Sequence, residues 1–524
     1  MNNIFLICSL IFLFGMNPNI QSKTVKEEFE PTVESLKKYE CPDWFRDAKF
    51  GIWSHWGPQS VPMVGDWYAK NMYVKGARRD QYNYHLEKYG HPTEFGFKDI
   101  IPLWKAEKFD PERLMKLYKA AGARYFVSMG VHHDNFDLWN SKHQKWNAVN
   151  MGPKRDIVKE WQQAAKKEGL KFGISEHLAA SYSWFQTSHG SDKDGPKAGV
   201  PYDGANPKWQ DLYHTKADSS DTRWYTTNPE FHDIWLKRMT DLIDSYDFDL
   251  LYSDGPLPFG ERGLKAVSHF YNVNMANNKG KLDAVYNSKD ASKDVGAGEY
   301  IEGIGVQDVE RGGLAKIKKA PWQTDTSIGD WFYNVNWKAN DTKTMYRSIN
   351  WIIQTLIDVV SKNGNMLLNV IQRPDGSLDP EVEKLLADMA NWMKPNGEAI
   401  FNTRPWKIFG EGRAITEVGK FKEDFGFKAT DIRFTQSKDG KVLYAMTLGW
   451  PQDGKIVIKS LAKSDLSGSV NAIKSVKLLG YTGSIKFQQT KEALIVTVPV
   501  KPVNTVACCL KINGKELSPV NSTN

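Results

Sequence analysis

The chain has 524 residues, of which 41% are hydrophobic and 25% are charged, and its formal net charge is +7. The length is sufficient for two or three domains with their own cores, and the composition excludes a fibrous or largely disordered chain. Lysine and arginine are spread among the acidic residues without a basic arm or cluster, which argues against a nucleic-acid partner.

The first 22 residues are typical of a secretory signal peptide. Their apolar stretch, Ile4 to Phe14, is too short to cross a bilayer, and no later stretch is long and apolar enough to do so. We therefore predict a signal peptide over residues 1–22, a secreted or periplasmic protein, and no membrane span. The three cysteines that follow the signal peptide are too few for a disulfide framework.

Strand-like and helix-like patterns alternate from about residue 45 to residue 400. Apolar runs predict buried strands at 50–53, 125–129, 170–174, 249–252, 284–286 and 366–370. Amphipathic stretches predict helices at 111–121, 156–169, 231–246, 343–361 and 380–393. Repeated βα units are typical of a parallel barrel or a doubly wound sheet, and the number of strands favours a TIM-like (β/α) barrel over residues 23–403.

The pattern changes after Thr403. Short runs that alternate or carry β-branched residues, such as 442–447 and 493–498, are separated by turns such as Asp439-Gly440. This pattern predicts an antiparallel β-sandwich over residues 404–524. The predicted fold is therefore of the α/β class, a (β/α) barrel followed by a C-terminal β-sandwich.

Polar residues gather just after four of the predicted strands. They are His55, His132, His133, Glu176, His177 and Asp254. In a parallel barrel the carboxyl ends of the strands meet on one face, where catalytic groups lie. Asp254, which precedes a Gly-Pro turn, could alone be a helix cap, but six polar residues on one face indicate a functional site.

Two chemistries fit these residues. A divalent metal could be bound by His132, His133, His177 and Asp254, although adjacent histidines of a regular strand point to opposite faces. Alternatively, paired carboxylates could cleave a glycoside, with a nucleophile and an acid about 5–5.5 Å apart in a retaining enzyme. Asp254 is the candidate nucleophile. The spacing does not choose among the candidate acids, which are Glu299, Glu302 and Glu310.

Several longer motifs resemble those of glycoside hydrolase family 29, the retaining α-L-fucosidases. The matching segments are Lys49–Gly57 with Gly65–Tyr68, His132–Trp139, Asn150–Asp156, Ser253–Gly255, Ser361–Asn369, Asn396–Ile400 and Thr403–Trp406. They are ordered along about residues 40 to 410. The resemblance implies a barrel followed by a β-sandwich, no cofactor or metal, and exo-acting release of terminal α-L-fucose from oligo- or polysaccharides.

The resemblance also implies roles for individual residues. Asp254 matches the nucleophile, and Glu310 is favoured as the acid/base because it lies shortly before Trp322-Gln323, where the family has Trp-Glu. Glu302 and Glu299 remain alternatives. The predicted substrate-binding residues are His55, Asp66, Trp67, His132, His133, Glu176, His177, Tyr252, Lys289 and Trp331.

Some pocket positions depart from the family pattern. Asp66 and Gln323 stand where glutamate is usual, Glu176 lies in a Ser-Glu-His segment where Tyr-Tyr-Ser is usual, and Lys289 stands where arginine is expected. With these changes, α-L-galactosidase activity is an alternative function, because L-galactose differs from L-fucose by one hydroxyl. A carbohydrate-binding protein without activity is the alternative from another class. The net charge and a polar insertion at 186–221 suggest a fucan-derived, sulfated substrate.

Overall fold

The computed structural model describes residues 28–290, 298–413, 421–423, 426–463, 472–499, 501–504 and 506–518. The predicted signal peptide, residues 1–22, lies outside this part of the chain. Within it, no helix combines the length and the apolar character needed to cross a bilayer.

Ten strands precede residue 370 among the described residues. They are β1 Phe50–Ser54, β2 Tyr125–Val131, β3 Lys171–Glu176, β4 Leu250–Ser253, β5 Leu257–Pro258, β6 Val285–Lys289, β7 Gly298–Glu299, β8 Val306–Asp308, β9 Trp322–Ser327 and β10 Gly364–Asn369. Eight of them form a closed parallel barrel in the order β1-β10-β9-β8-β6-β4-β3-β2, while β5 and β7 form a separate ribbon. The barrel is closed by β1 and β10, where Phe50 pairs with Met366 and Trp53 with Asn369.

Helices surround the barrel or lie in its connections. They are α1 Val33–Leu36, α2 Asp43–Ala48, α3 Tyr68–Asn71, α4 Gln81–Tyr89, α5 Phe97–Ile100, α6 Pro111–Ala120, α7 Ile157–Glu168, α8 Ser181–Trp184, α9 Gln210–Tyr213, α10 Pro229–Ser245, α11 Glu261–Asn277, α12 Ile349–Ser361 and α13 Pro380–Asn396. The sequence specifies their ends locally. The Asp156 side chain caps α7 by accepting from the Lys159 N–H, and Gly169, with φ of 71°, ends that helix.

The C-terminal part contains two antiparallel sheets. Their strands are β11 Thr403–Glu411, β12 Ile432–Ser437, β13 Val442–Thr447, β14 Lys455–Ile458, β15 Ala472–Leu478, β16 Lys486–Gln489, β17 Leu494–Thr497 and β18 Cys508–Lys515. One sheet has the order β11-β12-β13-β18-β15 and the other β14-β17-β16. Apolar side chains from both, including Phe434, Ile458 and Leu494, form one core. The predicted fold class, a barrel followed by an antiparallel domain, is confirmed.

The two parts are joined by a buried ionic cluster. The Asp358 carboxylate of α12 accepts from Nζ of Lys362 at 2.7 Å and from Nε of Arg433, on β12, at 2.6 Å. All three side chains are at most 1% exposed. A buried charge that loses its partner destabilises the protein strongly. Because Asp358 and Arg433 belong to different parts of the chain, their ion pair holds α12 against the antiparallel domain.

Candidate active site

A cavity of ≈ 810 Å³ opens at the carboxyl ends of the barrel strands. Its wall includes residues that end or directly follow β1, β2, β3, β4, β6 and β8, together with Asp325 of β9. Because all barrel strands run in the same direction, their last residues converge there, and the polar groups that follow them face one another. The predicted site residues that line the cavity are His55, Asp66, Trp67, His132, His133, His177, Asp254, Lys289, Glu310 and Trp331.

Asp254 follows β4 directly, and its carboxylate has three basic neighbours. Oδ1 lies 2.5 Å from Nζ of Lys289, and Oδ2 lies 2.9 Å from Nδ1 of His177 and 3.4 Å from Nε2 of His133. Burial opposes ionisation, but His177 and Lys289 outweigh it and hold the pKa of Asp254 well below its ordinary value. Asp254 is therefore an ionised carboxylate at the cavity wall.

The turn after Asp254 requires glycine. Gly255 has φ of 155°, and a Cβ at this position would overlap the hydroxyl of Tyr225. The Asp254 N–H also donates to the Glu176 carbonyl at 3.1 Å. The backbone on both sides of the carboxylate is thus fixed.

Glu310 follows β8 and faces the same cavity. Its Oε2 lies 3.1 Å from Nζ of Lys289. Burial raises the pKa of Glu310, and Lys289 lowers it only in part. The site therefore contains two neighbouring carboxyl groups with opposite pKa shifts, the arrangement that separates a proton donor from a nucleophile.

Lys289 ends β6 and lies between these carboxyl groups. Its Nζ is also 3.5 Å from Oδ2 of Asp325, which accepts a hydrogen bond from the Tyr252 hydroxyl at 2.8 Å. Burial disfavours the ammonium, but Asp254, Asp325 and Glu310 together raise the pKa of Lys289 well above its ordinary value. Lys289 is consequently a permanent cation at the floor of the site.

Four histidine rings form a cluster beside the carboxylates. The ring centroids of His132 lie 4.6 Å from His133 and 5.0 Å from both His55 and His177. Burial holds the pKa values of His55 and His132 well below the usual range, so both rings are neutral. Among the described residues, neither ring nitrogen of His55 has a hydrogen-bond partner. A neutral imidazole offers one donor and one acceptor, which suits a sugar hydroxyl.

Aromatic rings and Asp66 complete the wall. Trp67 stacks on Trp224 with centroids 5.7 Å apart, and Trp331 lies 5.4 Å from the His55 ring. Burial raises the pKa of Asp66 to about 8, and Oδ1 of Asp66 lies 3.8 Å from Nε2 of His132. The protonated acid is therefore a possible donor at neutral pH, and the wall combines flat apolar faces with neutral hydrogen-bonding groups.

The structure does not bring Glu176 to the cavity, which corrects its interpretation as a substrate-binding residue. It is the last residue of β3, and its carboxylate accepts from Oγ of Ser253 at 2.7 Å, from Nε1 of Trp235 on α10 at 3.2 Å and from the Leu178 N–H at 3.0 Å. Successive side chains of a strand point to opposite faces, so His177 faces the cavity while Glu176 faces the helices.

Tyr252, also predicted to bind substrate, is buried and is not among the residues of the cavity wall. Its hydroxyl holds Asp325, and its ring lies 5.6 Å from Nζ of Lys289. The two alternative acids, Glu299 and Glu302, are not among the residues of the cavity wall either. Glu302 is 74% exposed and lies 3.7 Å from Lys318, and Glu299 is exposed on the β5–β7 ribbon.

Sequence reasoning missed Asp325, Trp224 and Phe421 as cavity residues. Asp325 was within reach of the same reasoning, because it lies two residues after the Gln323 that marked the acid/base region. Trp224 follows the polar insertion, and Phe421 follows β11 by ten residues. Neither has a local pattern that points to the barrel.

Two trios of ligating atoms lie within 4.8 Å of one another, those of His55, His132 and His177, and those of His133, His177 and Asp254. The adjacent His132 and His133 both reach the cavity because β2 ends at Val131 and the chain is irregular after it. These atoms could hold a divalent ion, and the same atoms surround the space available to a sugar.

Residues 17–398 match the family model described as Alpha-L-fucosidase, and residues 427–513 match its C-terminal domain. The chain belongs to the α-L-fucosidase family. This is glycoside hydrolase family 29, which the sequence motifs resemble, and the enzyme class of the chain is accordingly an α-L-fucosidase.

The similarity to known α-L-fucosidases covers nearly the whole chain. The plasma alpha-L-fucosidase of Pongo abelii is 27% identical over 493 residues, which are 92% of this chain and 91% of that protein. The human tissue alpha-L-fucosidase is 27% identical over 524 residues, 97% of each chain. The crystal structure of Thermotoga maritima alpha-fucosidase in complex with a mechanism-based inhibitor has a TM-score of 0.69 at 27% identity, covering 93% of this chain and all of that one.

Proposed function

We propose that this α-L-fucosidase is exo-acting and retaining, and that it releases terminal α-L-fucose from oligo- or polysaccharides. The observation that carries the proposal is the ammonium of Lys289, which both Asp254 and Glu310 contact. Their oxygens lie 2.5 and 3.1 Å from one nitrogen, so they are at most about 5.6 Å apart. Retaining enzymes separate their carboxyl groups by about 5–5.5 Å, whereas inverting enzymes need about 6.5–9.5 Å for a water molecule.

In the first step Asp254 attacks the anomeric carbon and the glycosidic bond breaks. Glu310 transfers its proton to the leaving oxygen, and a covalent glycosyl ester of Asp254 forms. The opposite pKa shifts of the two groups support this division of roles, since the nucleophile must be ionised and the acid protonated.

In the second step water replaces Asp254 at the anomeric carbon. Formation of the ester removes the negative charge of Asp254, which is one of the charges that raise the pKa of Glu310. The pKa of Glu310 therefore falls after the first step, and its carboxylate accepts a proton from the attacking water. Two displacements give a sugar with the original configuration.

The cavity wall favours a neutral sugar at the cleaved position. Among its described residues, Lys289 is the one lysine or arginine, whereas Asp254 and Asp325 are among its acids. A sulfate on the fucose ring would meet these acids, so a sulfated fucan fits only with its sulfates beyond the cavity. Secretion or transport to the periplasm stays a proposal that rests on the predicted signal peptide.

The test is hydrolysis of a nitrophenyl α-L-fucoside with the released anomer followed by NMR. We expect α-L-fucose as the first product, and β-L-fucose would exclude the retaining mechanism. The matching α-L-galactoside tests the alternative sugar, and absence of hydrolysis of both would favour the inactive binding protein. Asp254→Ala should lower kcat by several orders of magnitude, with partial recovery in azide, and unchanged activity would refute Asp254 as the nucleophile.

A further inference from the structure

Phe421 is an aromatic residue of the C-terminal part of the chain that lies at the wall of the barrel cavity. Its side chain is 59% exposed, the largest fraction among the exposed large hydrophobic residues of the described chain. The wall also includes Glu310 and Leu314. A single exposed phenylalanine is common on protein surfaces. Phe421 differs because its backbone conformation is unusual and because hydrogen bonds hold its segment in place.

The backbone of Phe421 is held in an unfavourable conformation. Its φ is 61°, in the left-handed region that residues with a Cβ seldom adopt. The Phe421 N–H donates to the Glu310 carbonyl at 2.9 Å. The aromatic residue is therefore tied by its own backbone to the residue that donates the catalytic proton.

A buried carboxylate two residues later anchors the same segment. Glu423 accepts from Nη1 of Arg311 at 3.0 Å, from Nη2 of Arg347 at 2.7 Å and from Oγ1 of Thr326 at 2.7 Å. Glu423 is 8% exposed, and both arginines are buried as well. Charge-assisted hydrogen bonds of this number fix the position of the segment against β9 and the chain after β8.

The position of Phe421 beside Glu310 determines which part of the substrate it can meet. A general acid must lie next to the leaving oxygen, so the sugar that leaves occupies the Glu310 side of the cavity. The segment 421–423 also lies between the two ranges that match the family models, 17–398 and 427–513.

We infer that Phe421 forms a wall of the leaving-group subsite, where its ring packs against the apolar face of the pyranose that carries the fucose, and that Glu423 positions it. This inference rests on the proposed function, because it requires Glu310 on the leaving-group side. Pyranose rings present flat C–H faces, and a rigid aromatic ring covers such a face at low entropic cost.

The test compares two substrates that differ only in the leaving group. In α-L-fucosyl fluoride the leaving group is a single atom and cannot reach Phe421, whereas a fucosyl-galactose disaccharide places a pyranose there. We expect Phe421→Ala to lower kcat/KM for the disaccharide by about 3- to 12-fold and to leave the fluoride within about 2-fold. Phe421→Tyr, which keeps the ring, should restore most of the loss.

Phe487→Ala is the matched control, because Phe487 is 37% exposed on β16, away from the cavity. Equal losses on both substrates would show that Phe421 acts only through Glu310 and would overturn the subsite. No loss on the disaccharide would overturn it too. If the wild-type enzyme cleaves neither substrate, the proposed function is wrong and the subsite is not the cause. Circular dichroism of each variant shows whether a loss of activity comes from a loss of folding.

Discussion

The Lys289 ammonium lies 2.5 Å from Oδ1 of Asp254. The same nitrogen contacts Glu310, so one cation is shared by the proposed nucleophile and the proposed acid. It lowers the pKa of each of them, because a positive charge favours the ionised form of both carboxyl groups. The pH range in which the enzyme works is therefore set partly by a residue that takes no part in proton transfer.

Replacing Lys289 with methionine should move the pH–activity profile to higher pH. The acid limb reports ionisation of Asp254, whose pKa rises when the cation is removed, and the basic limb reports deprotonation of Glu310, whose pKa rises for the same reason. We expect both limbs of kcat/KM to shift in the same direction, whereas Lys289→Arg should keep them near the wild-type positions. A profile that narrows or shifts to lower pH would contradict this account.

Glu310→Gln should affect substrates according to their leaving group. A disaccharide needs the proton, so kcat/KM should fall by about 10²- to 10⁴-fold, while fucosyl fluoride, whose leaving group needs less protonation, should lose far less. Glu302→Gln is the matched control, because Glu302 is an exposed glutamate paired with Lys318. If Glu302→Gln lost the disaccharide activity instead, the acid/base would have to be reassigned.

Asp66→Asn should make the stability of the folded protein fall less than that of the wild type as the pH rises. Burial raises the pKa of Asp66 to about 8 in the folded protein, above the value of about 3.9 in an unfolded chain. The folded state thus binds this proton more tightly, and the wild type loses stability as the pH rises from about 4 to about 8. Thermal unfolding should give a Tm for the variant that falls less between pH 5 and pH 9, and parallel Tm curves would exclude a buried, protonated Asp66.

Asp358→Ala should destabilise the protein without a direct effect on the cavity. The change leaves Lys362 and Arg433 buried without their shared carboxylate, and loss of one partner of a buried ion pair costs about 3–5 kcal/mol. Asp388→Ala removes an exposed partner of Lys384 and should change stability by at most about 1 kcal/mol. Differential scanning calorimetry of both variants tests the difference, and similar Tm values would refute it.

The sequence predicted the strands that are made of apolar residues. Runs at 50–53, 125–129 and 249–252 lie within or beside β1, β2 and β4. In contrast, β9 was missed because its residues after Trp322 are polar, although all six are buried. Their side chains form hydrogen bonds to other segments of the folded chain: Gln323 donates to Asp308 at 2.9 Å, and Thr326 donates to Glu423 at 2.7 Å. Hydropathy cannot detect a strand whose buried groups are paired with hydrogen bonds formed only in the folded state.

For the site, strand-end position predicted which part of the chain reaches the cavity but not which side chain faces it. Glu176 and His177 are neighbours, yet only His177 lines the cavity, because the exact end of β3 determines which of the two faces inward. Phe421 is a different case. Its contact with Glu310 joins positions more than a hundred residues apart, and no local pattern encodes such a contact.

Closure of the barrel by β1 and β10 also has a consequence for biosynthesis. Phe50 pairs with Met366, so the first strand lacks its second neighbour until more than three hundred further residues have been made. During that interval an apolar strand with unpaired backbone groups is exposed at the edge of an open sheet, which is a template for aggregation. Expression at low temperature, or with chaperones, should therefore raise the soluble yield more than changes to the C-terminal domain.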